Sequence, residues 1–293
     1  MTNAEKVKAA LSCIESGLES INTDEDWLQF LQFQSLFYHY SFNNAMLIYL
    51  QSGGQATYVK GYKAWNKLGR YVKRGSRGLA ILAPRIRRIE GFKEPENAEE
   101  YHDDEGEREI KQVLSGYRIT YVYDISDTDG SDDMIPVLVK GLSGNTRTER
   151  EIYEQLFNVI SQMYDVEEIT GTASKGSYNL ESGVISVRSD LDYLHRIKTL
   201  LHETAHAIDF STNPDETPRN RRELIAESVA FVVSMRLGLD TSSYSMSYIK
   251  SWLKGKNELK IIADTVQKIS YSIINLLAES GNSAFTFLKE SEV

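Results

Sequence analysis

The sequence predicts an α+β protein in two parts: a mixed helix-and-strand half over residues 1–135, then a mostly helical half with a small sheet over residues 146–293. Three observations predict this. At 293 residues the chain is longer than one typical domain. Its texture changes near residue 56 from helix-period apolar runs to short β-rich runs broken by glycine, and changes back after "KGLSGNTRTE". Its charge is also segregated, with acidic, basic and nearly cation-free stretches in succession.

Residues 4–20 form the first expected helix, with Val7, Leu11, Ile14 and Leu18 on one stripe. "TDEDWLQFLQFQSLFYHYSFNNAMLIYLQ" supplies one or two more, and Thr23 with Asp26 three residues on makes a near capping box. From 56 to 92, "ATYV", "YVKRG" and "LAILAPRI" read as short strands. The stretch 94–109, "EPENAEEYHDDEGERE", reads as a solvated acidic loop inserted in the first half. "GYRITYVYDISDT" at 116–128 then resumes as a strand of alternating character. In the second half a helix is expected at 148–163, and "GSYNLESGVISVRSD" reads as a hairpin. Ser189 or Asp190 is the expected cap of the helix that follows, through Leu201 into "HETAH". The next helix has Thr217 at its N-cap, Pro218 in its first turn and Gly238 just past its end. Residues 245–290 hold two or three further helices, and no internal repeat is present.

Composition narrows the chemistry. Cys13 is the only cysteine, which excludes an internal disulfide and a thiolate metal cluster, so any metal is held by His and carboxylate. No apolar run reaches the roughly 18 residues of a membrane span, and the N-terminal residues lack a signal-peptide core, so a cytoplasmic protein is expected. The net charge of −9 conceals a basic island. Residues 60–93 carry eleven Lys/Arg against one acid, whereas 94–109 carry nine acids and one Arg.

The metal candidate is His202-Glu203-Thr204-Ala205-His206. Residues i and i+4 share a helix face, so both imidazoles can reach one ion at about 2.0–2.1 Å. Glu203, one position round, can reach a coordinated water and act as general acid/base. The expected ion is Zn2+, one per chain. A catalytic site needs a third protein ligand and an open position. The candidates are Glu223 and Glu227, one turn apart in "RELIAES": one would bind the ion, and the other would hydrogen-bond a ligating histidine. Spacing favours Glu223 as ligand without settling the choice. Asp209 is expected to be a structural or exposed acid, and His195 a surface histidine too far along the helix to share the ion. The strand "GVISV" is a candidate edge for pairing with an extended peptide, or equally an ordinary hairpin strand. Tyr178, Tyr244 and Tyr248 are candidates for stabilising an oxyanion.

The basic island interleaves aromatics with cations, as single-strand binders do when cations track phosphates and rings stack on bases. The residues with these properties are Lys60, Tyr62, Lys63, Trp65, Lys67, Arg70, Tyr71, Lys73, Arg74 and Arg77. Little base preference and a steep salt dependence are expected. The competing reading makes the island a solvated face over core aromatics, Trp65 among them.

"YSFNNAMLIYLQ" with "ATYVKGYKAWNKLGRYVKRGSRGLAILAP" resembles the N-terminal domain of ArdC-type antirestriction proteins, and "YVYDISDT" resembles the strand closing that domain. "TLLHETAHAIDF", "RELIAESVAF" and "SYIKSWLKG" resemble the zincin-like metallopeptidase domain that follows in the same proteins. The resemblance implies an N-terminal domain binding single-stranded DNA, a C-terminal gluzincin-like fold, and carriage on plasmids or conjugative elements whose incoming DNA is protected from restriction. By position it makes His202, His206 and Glu223 the metal ligands and Glu203 the catalytic acid/base. The implied partners are single-stranded DNA and an unknown protein substrate, such as a restriction enzyme or a repressor, with no membrane involved. Two alternatives stand beside this: a non-proteolytic DNA-coating protein with a structural zinc, and a regulatory protease whose basic half binds a protein. The acidic insertion at 94–109 departs from the pattern and would weaken DNA binding if it folded near the basic face.

Overall fold

Helix α1 (Asn3–Ser20) starts at a capping box, in which Thr2 accepts from the Glu5 backbone and the Glu5 carboxylate accepts from the Thr2 backbone. Thr23 and Asp26 repeat the device at α2 (Asp24–Leu36), and Ser41 caps α3 (Phe42–Ser52). The structure, a computed structural model, describes residues 1–92, 108–133, 135, 148–171, 173–212, 218–241, 256–282, 285 and 288. The expected stripe on α1 is only partly realised: Ile14 and Leu18 are buried, but Leu11 is 39% exposed. The close contact is made instead at Gly17, where a Cβ would stand 2.9 Å from Leu50 Cδ2 and nearer still to Cδ1. The helix therefore meets α3 through its C-terminal half, while Val7 and Ala10 pack on the core more loosely.

The α2 helix is buried on most of its surface and ties the two halves together. Trp27, Phe30 and Leu31 are fully buried, and Trp27 Nε1 donates to Ser228 Oγ at 3.2 Å. Gln34 and Gln267 bond through their side-chain amides, and the Gln267 amide also donates to the Phe37 and Tyr38 carbonyls. One continuous apolar cluster thus runs from α1–α3 into α5 (Glu149–Ile160), α6 (Tyr193–Thr212), α7 (Arg219–Arg236) and α8 (Lys256–Glu279).

Within the first half, β1 (Val59–Gly61), β3 (Leu79–Phe92) and β4 (Arg108–Asp124) make an antiparallel sheet in the order β1-β4-β3. Helix α4 (Tyr62–Lys67) leads to β2 (Arg70–Val72), which pairs with β5 (Thr128–Gly130) after a 3-10 turn at Ile125–Asp127. The free edge of β3 is closed by side-chain amides of α3. Asn44 exchanges bonds of 3.0 and 2.8 Å with the Leu82 backbone, and Gln51 exchanges bonds of 2.8 and 2.9 Å with that of Ala80. These replace the missing neighbour strand. Pro84, which has no N–H, sits on this edge strand at the register shift before Ile86. The acidic stretch connects β3 to β4. Its residues 94–107 lie outside the described residues, and Arg108 and Glu109 belong to β4, so the strand starts earlier than composition suggests.

The second half contains a three-stranded sheet in the order β6-β8-β7, with β6 (Val166–Ile169) parallel and β7 (Gly176–Tyr178) antiparallel to β8 (Ile185–Arg188). The hairpin expectation holds. The peptide-edge expectation for "GVISV" does not, because β8 is the central strand and its backbone is paired on both sides. The α6 cap is Asp192, not Ser189 or Asp190: its Oδ1 accepts from the His195 backbone at 3.0 Å. Ser189 instead bonds back to Ile169, extending the sheet. Gly238 ends α7 with φ 84°, as a terminating glycine should. Thr217, Tyr244, Tyr248 and "SYIKSWLKG" lie outside the described residues. Among the described residues, no helix is long and apolar enough to cross a membrane.

Candidate metal centre and nucleic-acid face

Asp192 starts α6, and 3.6-residue periodicity then brings His202 and His206 onto one face. Their Nε2 atoms are 3.1 Å apart, with the rings nearly perpendicular at 80°. Helix α7 is keyed to α6 by a buried ion pair, Arg222 to Asp209 at 3.3 Å, and Arg222 also lies 3.7 Å over the Phe210 ring. Asp209 is thus structural. This keying brings Glu223 Oε2 to 3.4 Å from His202 Nε2 and 3.7 Å from His206 Nε2. All three donors lie within 4.8 Å of one another. Ligands about 2.0–2.1 Å from a tetrahedral ion stand about 3.3 Å apart, close to the spacings found here.

The two glutamates on α7 take different sides. Glu227 Oε1 stands 3.5 Å from His202 Nδ1, behind the imidazole, and its Oε2 pairs with Lys198 Nζ at 2.8 Å. Glu223 alone reaches the Nε2 side. Glu203, also buried, lies on α6 beside β7. Burial raises its pKa against the opposing charges of His202 and His206, and the Tyr178 backbone hydrogen-bonds its carboxylate. Burial alone would lower the pKa of His202, but the hydrogen bond to Glu223 and the charges of Glu227, Glu203 and Glu223 outweigh it and leave the value raised. Hydrogen bonds from His202 and His206 hold Glu223 far below the usual carboxylate range. The cluster stabilises positive charge among its three donors, which is the electrostatic condition for holding a cation.

Glycine permits the approach of β7. A Cβ at Gly176 would stand 2.7 Å from the Ser186 carbonyl oxygen and 3.4 Å from Glu203 Cγ, with Thr199 Cγ2 closer still. The structure brings His202, Glu203, His206, Glu223 and Glu227, the residues that the sequence singled out, into one neighbourhood. The sequence reading missed Lys198, although Lys198 lies one turn before His202 on the same face, and it did not foresee that the Gly176–Tyr178 strand of the expected hairpin lies against Glu203. His195 is not a free surface histidine: its Nδ1 lies 2.6 Å from Asp192 Oδ2, inside the cap.

On the basic half, two expected DNA contacts are withdrawn. Trp65 is fully buried, its Nε1 donating to the Tyr123 carbonyl at 2.8 Å, so no base can stack on it. Arg70 is buried with its guanidinium spent on Thr128, Gly130, Ser131 and Asp132, where it ties β2 to β5. Tyr62 and Tyr71 remain 53% and 61% exposed, and Lys63, Lys67, Lys73, Arg74 and Arg77 are exposed around them. Lys60 is half-buried, its ammonium 5.3 Å from the Tyr58 ring centroid. The sheet adds rings the reading missed: Tyr117 and Tyr121, 45% and 49% exposed, share a face of β4 with Tyr123, against which Tyr62 packs edge-on. Their odd-numbered spacing in "GYRITYVYD" was the available signal.

Residues 8–123 match the family model for the N-terminal domain of anti-restriction factor ArdC. The N-terminal part of the chain is thus similar to that ArdC domain. An uncharacterized protein of Bacillus anthracis is 23% identical over 270 residues, 82% of this chain. The chain spans 45% of that relative's length. The metal-free crystal structure of the antirestriction protein ArdC from the R388 plasmid overlays at a TM-score of 0.48, with 21% identity, covering 81% of this chain and 85% of that one. The Mn(II)-bound structure of the same plasmid protein gives a TM-score of 0.46 and 20% identity, covering 82% and 86%.

Proposed function

We propose that this ArdC-type chain pairs a zinc-dependent peptidase centre with a surface for single-stranded DNA, and that the two serve antirestriction. The observation that carries the reading is the convergence of His202 Nε2, His206 Nε2 and Glu223 Oε2 at spacings of 3.1, 3.4 and 3.7 Å, with the buried Glu203 alongside. Two imidazoles and one carboxylate suit zinc and leave a fourth position open. His202, His206 and Glu223 would hold the ion, which when bound supplies Lewis-acid chemistry to water and to a peptide carbonyl.

The remaining work falls to the chain. Glu203 takes a proton from the attacking water and returns it to the leaving amine, and its burial-raised pKa makes it a stronger base than an exposed glutamate. The Tyr178 backbone bond fixes its direction. Glu227, anchored by Lys198, orients His202 from the Nδ1 side and raises its basicity as a ligand. A purely structural ion would not need a buried carboxylate at Glu203, which favours an enzyme over a DNA-coating protein. On the other half, exposed cations around Tyr62, Tyr71, Tyr117 and Tyr121 offer phosphate contacts and stacking faces. Holding DNA near the peptidase would raise its effective concentration towards DNA-bound protein substrates.

Two measurements test the reading. Elemental analysis should find about one zinc per wild-type chain and little in Glu223→Ala, and zinc absent from the wild type would end the metal proposal. Glu203→Gln should keep its zinc and its DNA binding but lose protection of unmodified DNA. Full protection by that variant would assign antirestriction to coating alone.

A further inference from the structure

A cleft of about 440 Å³ opens beside the basic face, between the C-terminal end of α3, the start of β3 and the turn after β4. That size lies within the range of small-molecule sites, roughly 300–1,000 Å³. Much of its polar lining is already committed. Gln51 bonds the Ala80 backbone, and the Asp124 carboxylate accepts from the backbone of Thr57, Tyr58 and Ser126. Two charged groups of opposite sign are not committed. Arg77 and Asp127 both line the cleft, and neither side chain makes a hydrogen bond or ion pair among the described residues. Asp127 is held in place through its backbone carbonyl, which accepts from the Lys73 backbone at 2.9 Å and from Ser76 Oγ at 3.4 Å. The floor at Gly78 leads straight to the tyrosine face: a Cβ there would stand 3.0 Å from Tyr121 Cβ and 3.1 Å from the Tyr123 ring.

We infer that this cleft receives one nucleotide of the bound strand and reads its base, which deepens and rests on the proposal that this half binds single-stranded DNA. An occupant that suits a free guanidinium and a free carboxylate in one cleft carries an anion and a hydrogen-bond donor. A nucleotide with an exocyclic amine has both: its phosphate meets Arg77, and its amine donates to Asp127 as cytosine N4 does to acidic side chains. Thymine and uracil present a carbonyl at the same position, and a carboxylate repels it. The stacking face is indifferent to base identity, so the preference originates in the cleft and covers one nucleotide in the site.

The test is fluorescence anisotropy with the full chain and labelled oligo(dC) and oligo(dU), pyrimidines that differ at the ring edge and hardly in stacking. Wild type should bind oligo(dC) about tenfold more tightly than oligo(dU) at one salt concentration. In Asp127→Asn, whose amide can donate to the uracil carbonyl, that ratio should fall to about one. Arg77→Ala should weaken both oligonucleotides and keep the ratio. Equal binding of the two by wild type, or an unchanged ratio in Asp127→Asn, would overturn base reading while leaving DNA binding intact. Failure of wild type to bind either at low salt would overturn the DNA reading and this inference with it. The wild-type ratio needs no variant, so a folding defect in Asp127→Asn cannot shelter the proposal.

Discussion

Replacing Gly176 with alanine probes how β7 reaches Glu203. The added methyl would stand 2.7 Å from the Ser186 carbonyl oxygen and 3.4 Å from Glu203 Cγ, and closer than either to Thr199 Cγ2. Non-bonded carbons settle at about 3.5–4.0 Å, so the strand must retreat from α6 by on the order of 0.5–1 Å. Neither near neighbour yields easily. Ser186 sits opposite Ser177 in the β7–β8 ladder, and Thr199 is a buried, β-branched residue with a stiff χ1. Overpacking of this kind costs about 1–3 kcal/mol, and the stiffer unfolded chain returns about 0.4–1 kcal/mol. The balance predicts a Tm lower by a few degrees, at about 2–4 °C per kcal/mol. The same retreat draws the Tyr178 backbone away from Glu203, and a misplacement near 1 Å can cost about 100-fold in activity. His202, His206 and Glu223 are not displaced, so zinc content should stay at the wild-type level. Differential scanning fluorimetry and elemental analysis read the two arms. A Tm at or above wild type, or zinc lost together with stability, would show that β7 is not held against Glu203 as described.

Three further expectations follow from the same geometry. Glu227→Ala should weaken zinc binding by about 10- to 100-fold in a chelator competition, less than Glu223→Ala, because it orients His202 and does not itself reach the Nε2 side. At Asp192 the hydrogen bond from the His195 backbone holds the carboxyl below its ordinary 3.8, so the ionised cap is favoured in the folded state. Its contribution is therefore complete above about pH 4 and lost as acid carries the pH down through the lower folded value. Asp192→Ala should cost about 1 kcal/mol at neutral pH by urea titration, with the gap narrowing in acid. Converting the eight acids of residues 94–107 to amides moves the net charge from −9 to −1, since that stretch holds no Lys or Arg. Binding of single-stranded DNA at low salt should tighten, with the benefit fading as salt screens it.

What the sequence disclosed, and what it withheld, follows from the range of each interaction. The capping box of Thr23 and Asp26, the terminating Gly238, and the shared face of His202 and His206 are local, set within four residues, and they were legible. Choosing between Glu223 and Glu227 required the rotation of α7 about its axis. The Asp209–Arg222 pair and the Phe210 ring set that rotation, and they lie a helix away. Trp65 and Arg70 have the composition of a DNA contact, but their environment is that of a core. Only the pairing of β2 with β5 and the Tyr123 carbonyl over Trp65 reveal it. The central place of β8 was hidden for a similar reason, because β6 joins it in parallel from before the hairpin.

The continuity of the core has a consequence for the two proposed activities. Trp27 donates to Ser228, the residue next to Glu227, and Tyr38 OH donates to the Leu288 carbonyl at 3.1 Å, so the helices before the basic sheet are built into the wall around the His202–His206–Glu223 cluster. A fragment ending at residue 135 would strip α2 of the α7 surface on which it packs and Trp27 of its bond to Ser228, and an apolar face exposed in this way favours association in water. The two halves should therefore unfold together. Tryptophan fluorescence, which reports on Trp27 and Trp65 together with Trp252, and far-UV circular dichroism, which follows the helices, should give superimposable urea transitions. Trp27→Phe, which removes the bond to Ser228, should shift both transitions by the same amount. Transitions at clearly different urea concentrations would mean that the sheet and the site-bearing helices are held apart by a weaker joint than these contacts imply.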